Sequence, residues 1–177
     1  MSRKSASTQC LFCRIISREV AAHIIHEDER IMAFLDRGPI RPGHTQIVPK
    51  QHYPYFDEAP AEVLAAVVTV GQRLARVMKK TLRVPRVAFL FTGGDIAHVH
   101  AHLVPIHEKT DITSRRYIVE EIVTFRGLPP ASDEELARTA GDLRSALETS
   151  AARAQAAPAA IRASRRVVTP TAAAGPP

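Results

Sequence analysis

Tryptophan is absent from the 177 residues, aromatic residues of every kind make up 5%, and cysteine occurs twice. No uninterrupted apolar run approaches the roughly 20 residues that a membrane span requires, so no membrane partner is expected. Met1 to Gln9 is polar, carries Arg3 and Lys4, and lacks the apolar stretch of a signal peptide, which makes the cytoplasm the expected compartment. Residues 150–177 contain no Asp, Glu or Lys but four arginines, Arg153, Arg162, Arg165 and Arg166. The net charge is +6; setting those four aside leaves +2 for residues 1–149, which Arg3 and Lys4 account for. The body is therefore close to neutral, offers no basic face, and predicts no nucleic-acid partner. A hydrophobic content of 45% excludes disorder of the whole chain.

What is present divides into a body and two ends. Residues 1–9 read as a flexible start, 10–149 as one domain, and the Ala-, Pro- and Arg-rich stretch 150–177, without an aromatic residue, as a disordered tail. Leu11 to Ser17 suits a short helix. His23-Ile24-Ile25-His26, Ile31 to Leu35 and His44 to Val48 read as strands, separated by Glu27-Asp28-Glu29-Arg30 and by the Gly38-Pro39 and Pro42-Gly43 loops. A helix is predicted from Pro60 to Lys80, with Leu64, Val67, Val68, Leu74, Val77 and Met78 on its apolar face. Val87 to Phe91 reads as a buried strand and His98 to Ile106 as another. Ser132 with Glu135 forms a capping box for a last helix, 132–148, whose stripe is Leu136, Ala140, Leu143 and Leu147. Strands, helix, strands, helix predict an α+β domain: an antiparallel sheet covered on one side by a long helix, plus a C-terminal helix.

The chemistry concentrates in His98-Val99-His100-Ala101-His102. A strand turns alternate side chains to one face, so the three imidazoles would share a face while Val99, Ala101 and Leu103 share the other. Three buried imidazoles need partners. Either they chelate a metal together, or one is a nucleophile that the others orient. Cys10 and Cys13, in the spacing Cys-x-x-Cys, read as metal ligands, a redox pair or two free thiols; no Trp or Pro context supports thioredoxin-like redox chemistry. Tyr53, Tyr55 and Phe56 are expected to cap the core. His23, His26 and His107 read as surface or edge positions without a role.

His98 to Val104 resembles the signature of the histidine triad, or HIT, hydrolases and transferases, in which histidine alternates three times with apolar residues. A second resemblance runs from Phe34-Leu35-Asp36-Arg37-Gly38-Pro39 through His44 and an apolar strand to Pro49-Lys50-Gln51-His52. The N-terminal Cys-x-x-Cys resembles the bacterial form of the family. Together the similarity spans about residues 10 to 107. It implies a two-step transfer at an α-phosphate of a nucleoside phosphate conjugate, with His100 attacking to form a nucleotidyl-histidine that water or another acceptor resolves. A neutral imidazole suits that role near neutral pH, its ordinary pKa being about 6.5. His102 would hydrogen-bond phosphate oxygens as charge shifts. Asp36 matches the family's ribose-binding position, although an Asp before Gly-Pro also stabilises turns. Phe34 is the candidate for the nucleobase, and Arg37 and Thr92 complete the substrate-binding set. His44 lies at a matched position with a structural part. The resemblance also implies a structural zinc, one per chain, held by Cys10, Cys13, His52 and His98, and a homodimer.

One position departs from the pattern. Three residues ahead of the first histidine many members carry Ser or Thr; here Asp95 stands, after a short Gly93-Gly94 pair. A carboxylate there repels a phosphate, turns away, or donates a proton to the leaving group once phosphate raises its pKa. Two other readings remain: a zinc metallohydrolase using the histidine run with Asp95, and a non-catalytic nucleotide sensor. Zinc lost with Cys10 favours the structural site, and zinc lost with His100 favours the metallohydrolase.

Overall fold

A computed structural model describes residues 10–93, 96–108, 111–112 and 130–156. Asp95, the segment 1–9 and the tail beyond 156 lie outside the described residues. The elements in chain order are helix α1 (Leu11–Ile16), strands β1 (Ile24–Glu27), β2 (Ile31–Leu35) and β3 (Thr45–Pro49), a 3-10 turn at Phe56–Glu58, helix α2 (Ala61–Thr81), strands β4 (Arg86–Phe91) and β5 (Ala101–Ile106), and helix α3 (Asp133–Ala156). The five strands form one antiparallel sheet in the order β1-β2-β3-β5-β4. No helix among the described residues is long and apolar enough to cross a membrane.

Alternation along the central strands sorts side chains onto two faces. Ile31, Ala33 and Leu35 of β2, Ile47 of β3 and Ala101 and Leu103 of β5 pack under α2 and α3, in one core with Val67, Leu74, Met78, Leu136 and Leu143. The opposite parity, Met32, Phe34 and Val48, meets α1 through Cys10, Phe12 and Ile15. Every residue of β2 and β3 is consequently buried. The sheet is thus covered on both faces, not on one: the six-residue α1 is long enough to seal the second face locally.

Four features differ from the sequence expectation. The fifth strand begins at Ala101 and not at His98, because the backbone N–H of His98 bonds the Ile96 carbonyl at 2.8 Å and that of Val99 bonds the Tyr53 carbonyl at 2.7 Å, away from the ladder. Val68, expected in the buried stripe of α2, is 49% exposed, and Val70 and Gly71 are buried in the face it was expected to share. Tyr55 and Phe56 are exposed and cap no core; Phe56 stacks on Phe91. Finally, α3 continues to Ala156, past the expected end at 148, because Ala, Arg and Gln are strong helix formers and need no tertiary partner to extend a docked helix.

The docking of α3 is specific. Glu135 N–H bonds the Ser132 hydroxyl at 3.2 Å, the N-cap read from the sequence. Ala131 N–H bonds the Arg37 carbonyl at 3.0 Å, Asp133 pairs with both His23 and Arg37, and Arg144 donates to the Ile24 carbonyl. Leu143 is fully buried in the main core. Its truncation to alanine is expected to lower unfolding free energy by about 2–5 kcal/mol, the range for large-to-small core changes. Chemical denaturation would measure it, and a loss below about 1 kcal/mol would mean that α3 is dispensable to the core.

Candidate active site

The site lies on the α1 face of the sheet, where the loop before β5 brings His98 and His100 over Phe12. Phe12 makes edge-on contacts with Phe34, His98 and His100, at ring-centroid distances of 5.6, 5.9 and 5.1 Å. The α1 helix therefore does more than cover the sheet: its one large aromatic side chain is wedged among the imidazoles.

Four side chains converge at the N-terminal end of this face. His98 Nδ1 lies 3.4 Å from Cys10 Sγ, 3.5 Å from Cys13 Sγ and 3.2 Å from His52 Nδ1, and Cys13 Sγ lies 3.3 Å from His52 Nδ1. All four ligand atoms fall within 4.8 Å of one another. A tetrahedral zinc with bonds of about 2.0–2.1 Å to nitrogen and about 2.3 Å to sulfur has edges of about 3.3 Å between nitrogens and about 3.6 Å between nitrogen and sulfur. The observed separations match those edges. Burial, and then the neighbouring Cys10, push the Cys13 thiol up to about 12, so a Cys13 thiolate here calls for a cation beside it. His98 also has the outer hydrogen bond typical of a metal-bound imidazole, its Nε2–H donating to the Pro49 carbonyl at 2.9 Å. The residues fit a tetrahedral Cys2His2 ion.

His98 is fully buried and His100 is 6% exposed. His100 Nδ1 stands 2.7 Å from the His98 carbonyl oxygen, which can only accept, so Nδ1 carries a proton and the neutral ring has its lone pair on Nε2. His102 faces a different set of partners, and there too the polarity of each bond is determined. Ile40 N–H donates to His44 Nδ1 at 3.3 Å, so the His44 proton sits on Nε2 and donates to His102 Nδ1 at 3.0 Å. The His102 proton therefore sits on Nε2, 3.0 Å from the Thr92 hydroxyl oxygen. The three imidazoles of the run thus turn to three sets of partners and do not share one coordination point.

Asp36 is placed at the end of β2. Its Oδ1 accepts from Gly38 N–H at 2.8 Å, closing the turn, while Oδ2 accepts from the Gln46 amide at 2.6 Å. Both roles considered for this carboxylate are compatible, because the turn and the amide take one lone pair on each oxygen and leave a second on each. Asp36, Phe34, Gln46 and Ile96 line a cavity of about 380 Å³. A second hollow of about 220 Å³ is lined by Thr92, Gly93, His98 and His100. Gly93 has φ of 59° at the end of β4, a left-handed turn that glycine adopts without strain. A larger hollow of about 680 Å³, between α2 and α3, lies on the opposite face and contains none of these groups. Arg37, exposed, lines the first cavity while pairing with Asp133 at 3.3 Å.

Comparison with known proteins fits this arrangement. The HIT domain family model matches residues 17–109, more than half of the chain. The chain belongs to the HIT domain family. Its HIT domain is 37% identical over 103 residues to an uncharacterised HIT-like protein of Methanocaldococcus jannaschii, covering 56% of this chain and 80% of that one. It is 35% identical over 97 residues to an adenosine 5′-monophosphoramidase of Saccharomyces cerevisiae, covering 54% of this chain and 61% of that protein. Among solved structures, a zinc-bound histidine triad family protein from Mycobacterium smegmatis superimposes with a TM-score of 0.66 at 28% identity, over 83% of this chain and 99% of that one. The antiparallel sheet with its helices is the HIT fold.

Three residues of this HIT domain site were not singled out as functional by sequence: Phe12, His44 and Gln46. The position of Phe12 between the two cysteines and the alternation of His44 and Gln46 along β3 were the available signals. Gln46 stands out, because it is 5% exposed and its Oε1 has no hydrogen-bond partner. An unpaired buried acceptor costs about 1–3 kcal/mol.

Burial, with His44 and His100 adding to it and Asp36 opposing, pushes the His102 imidazole down to about 4, and burial lowers His44 as well. An imidazole that titrates near 6.5 in the unfolded chain and near 4 in the folded one favours folding fully above about pH 6.5. That contribution is lost as pH falls from 6.5 toward 4. The denaturation midpoint is expected to fall over this interval, and to fall less steeply for His102→Gln. Parallel pH curves for the two proteins would contradict the assignment.

Proposed function

We propose that this HIT domain is a nucleotide hydrolase or nucleotidyl transferase acting at the α-phosphate of a nucleoside phosphate conjugate, a dinucleoside polyphosphate or a nucleoside phosphoramidate. The observation that carries the reading is the hydrogen bond from His100 Nδ1 to the His98 carbonyl, which in the neutral imidazole puts the lone pair on Nε2, beside the hollow lined by Thr92 and Gly93. In the first step the Nε2 lone pair forms a bond to phosphorus, and the bond from phosphorus to the leaving group breaks, its electrons and a proton going to the leaving group. In the second, water attacks phosphorus, the phosphorus–nitrogen bond breaks, and the water's proton is released. His102 Nε2–H is the donor available to a phosphate oxygen that gains charge. Asp36 would accept the ribose hydroxyls, Phe34 would contact the base, and Thr92 and Arg37 would border the substrate. The proton donor to the leaving group is Asp95 in this reading.

Relatives whose names are activities on adenosine 5′-phosphate conjugates support the substrate class: the yeast monophosphoramidase, and an adenylylsulfatase of Arabidopsis thaliana, 31% identical over 105 residues, 56% of this chain and 53% of that protein. Zinc, one per chain, is the ion proposed for Cys10, Cys13, His52 and His98; when bound it would fasten α1 to the loop before β5. A homodimer is also proposed. Among the described residues strand β4 stands at the sheet edge, and Phe89 on it and Val68 of α2 are 36% and 49% exposed, apolar side chains that a second copy would cover.

His100→Ala is expected to abolish turnover of a nucleoside phosphoramidate, by at least about 10³-fold, while nucleoside monophosphate affinity changes by less than about threefold. Mass spectrometry of the wild type quenched during turnover should find a nucleotidyl adduct on His100. Near-normal turnover by the variant would remove His100 from the role, and binding without any turnover by the wild type would favour a nucleotide sensor.

Metal analysis is expected to give about one zinc per chain in wild type. Replacing Cys10 and Cys13 together with serine should release it and lower the melting temperature, with activity falling less than for His100→Ala. Zinc retained after that change but lost with His100→Ala would reverse the assignment in favour of a catalytic metal.

A further inference from the structure

Gln46 sits mid-strand in β3, directly opposite His102 across the β3–β5 pairing and opposite Phe34 across β2–β3. A buried position in the centre of a sheet favours an apolar side chain, and here an apolar side chain would also avoid the unpaired Oε1. What the carboxamide supplies in return is its pair of N–H donors. The amide nitrogen lies 2.6 Å from Asp36 Oδ2 and 3.1 Å from His102 Nδ1. Exchanging the amide's oxygen and nitrogen would press a carbonyl against a carboxylate at 2.6 Å, so its orientation is determined by Asp36. His102 Nδ1 in turn must accept, because His44 Nε2–H already donates to it.

The two ends of the site are therefore joined through a single side chain. Asp36 lies in the cavity on one side, His102 faces Thr92 on the other, and the donors of Gln46 bind both. We propose that Gln46 is a positioning residue that couples sugar binding at Asp36 to the orientation of His102, so that ribose hydroxyls speed the transfer step and do not merely tighten binding. A vicinal diol that bridges the Asp36 carboxylate adds donors to those of Gly38 and Gln46 and stiffens it. The stiffened carboxylate holds the amide, and the amide shares the single lone pair of His102 Nδ1 with the His44 N–H and so steadies the ring. Without the diol only the Gly38 N–H and the amide hold the carboxylate, so the amide's bond to His102 Nδ1 is held less firmly. The coupling rests on the functional reading above, and it makes sugar recognition a contribution realised in the transition state.

The test compares the full chain and Gln46→Leu on a nucleoside 5′-phosphoramidate and its 2′-deoxy counterpart, with kcat and KM measured separately. In wild type, loss of the 2′-hydroxyl is expected to lower kcat about tenfold as well as raise KM. Gln46→Leu should lower kcat on the ribose substrate by a similar factor and bring the two kcat values together, while KM still favours ribose through Asp36. Gln46→Met, a second apolar variant of similar length, should reproduce this pattern and so separates it from a packing fault specific to leucine. A ribose-to-deoxyribose kcat ratio in both variants equal to that of wild type, or a wild-type kcat indifferent to the hydroxyl, would overturn the proposal. Nitrogen-15 spectra of the imidazoles read the same coupling without turnover. Adenosine, which carries no phosphate, should shift the His102 Nδ1 resonance in wild type more than 2′-deoxyadenosine does, and Gln46→Leu should erase the difference. A difference that persists in Gln46→Leu, or is missing from wild type, counts against the coupling. A wild type with no turnover on either substrate defeats the functional reading alone, and the spectra then decide the coupling.

Discussion

The 2.7 Å hydrogen bond between His100 Nδ1 and the His98 carbonyl determines which nitrogen of His100 meets the cavity, and its geometry is only as firm as the peptide that carries the carbonyl. That peptide is held from several directions. The His98 ring lies in the Cys10–Cys13–His52 cluster through Nδ1 and bonds Pro49 through Nε2, and the next backbone N–H bonds Tyr53. These bonds take the place of a sheet ladder, which His98 and His100 lack because they precede β5. A loop carrying two buried imidazoles would otherwise be free to move, so the cluster is as much a part of the site's precision as the triad itself.

The two faces of the sheet divide the work. The α2 and α3 face buries aliphatic side chains in one core and carries most of the stabilisation available from apolar burial. The α1 face is smaller and mixes apolar residues with cysteine, histidine, glutamine and aspartate. Buried polar groups on that face are tolerable because nearly every one has a partner of opposite polarity, from Gly38 N–H on Asp36 to Thr92 on His102. The exception among the described residues is Gln46 Oε1, and that unmet acceptor is offset by what the other end of the side chain does.

Much of this was legible in the sequence because it follows from short-range periodicity. The strand Ile31 to Leu35, the stripe Leu136, Ala140, Leu143, Leu147 and the Ser132 cap need only local geometry, and they appear at their expected positions. The grouping of Cys10 and Cys13 with His52 and His98 came from family resemblance, since nothing local in the chain tells residue 10 that residue 98 lies beside it. What could not be read depends on long-range register. Val68 and Val70 are equally apolar, and only the crossing of α2 over the sheet decides which is buried. Gln46 looks like any polar residue in a strand until β3 is aligned with β5 and it falls opposite His102. The start of β5 was misplaced for the same reason: alternation of side chains continues through His98 and Val99, but their backbone donors find partners in loops.

The direction of the hydrogen bonds around His102 has a consequence for charge. A backbone N–H is a donor under all conditions, so Ile40 fixes His44 as an acceptor at Nδ1, and the polarity passes unchanged to His102 Nε2–H. A positive His102 would have to place a second proton on Nδ1, where it would face the donors of both His44 and Gln46. The network thus selects a neutral imidazole that offers a single N–H, and burial acts in the same direction. For the anionic substrate proposed above, this is a particular choice. A cationic group would attract ground-state substrate and product alike, whereas a neutral donor aimed at one oxygen favours most the state in which that oxygen carries the most charge. The selectivity for that state then depends on how rigidly the donor is aimed, and the aim is set in β3, by His44 and Gln46, on the strand that the sheet holds from both sides.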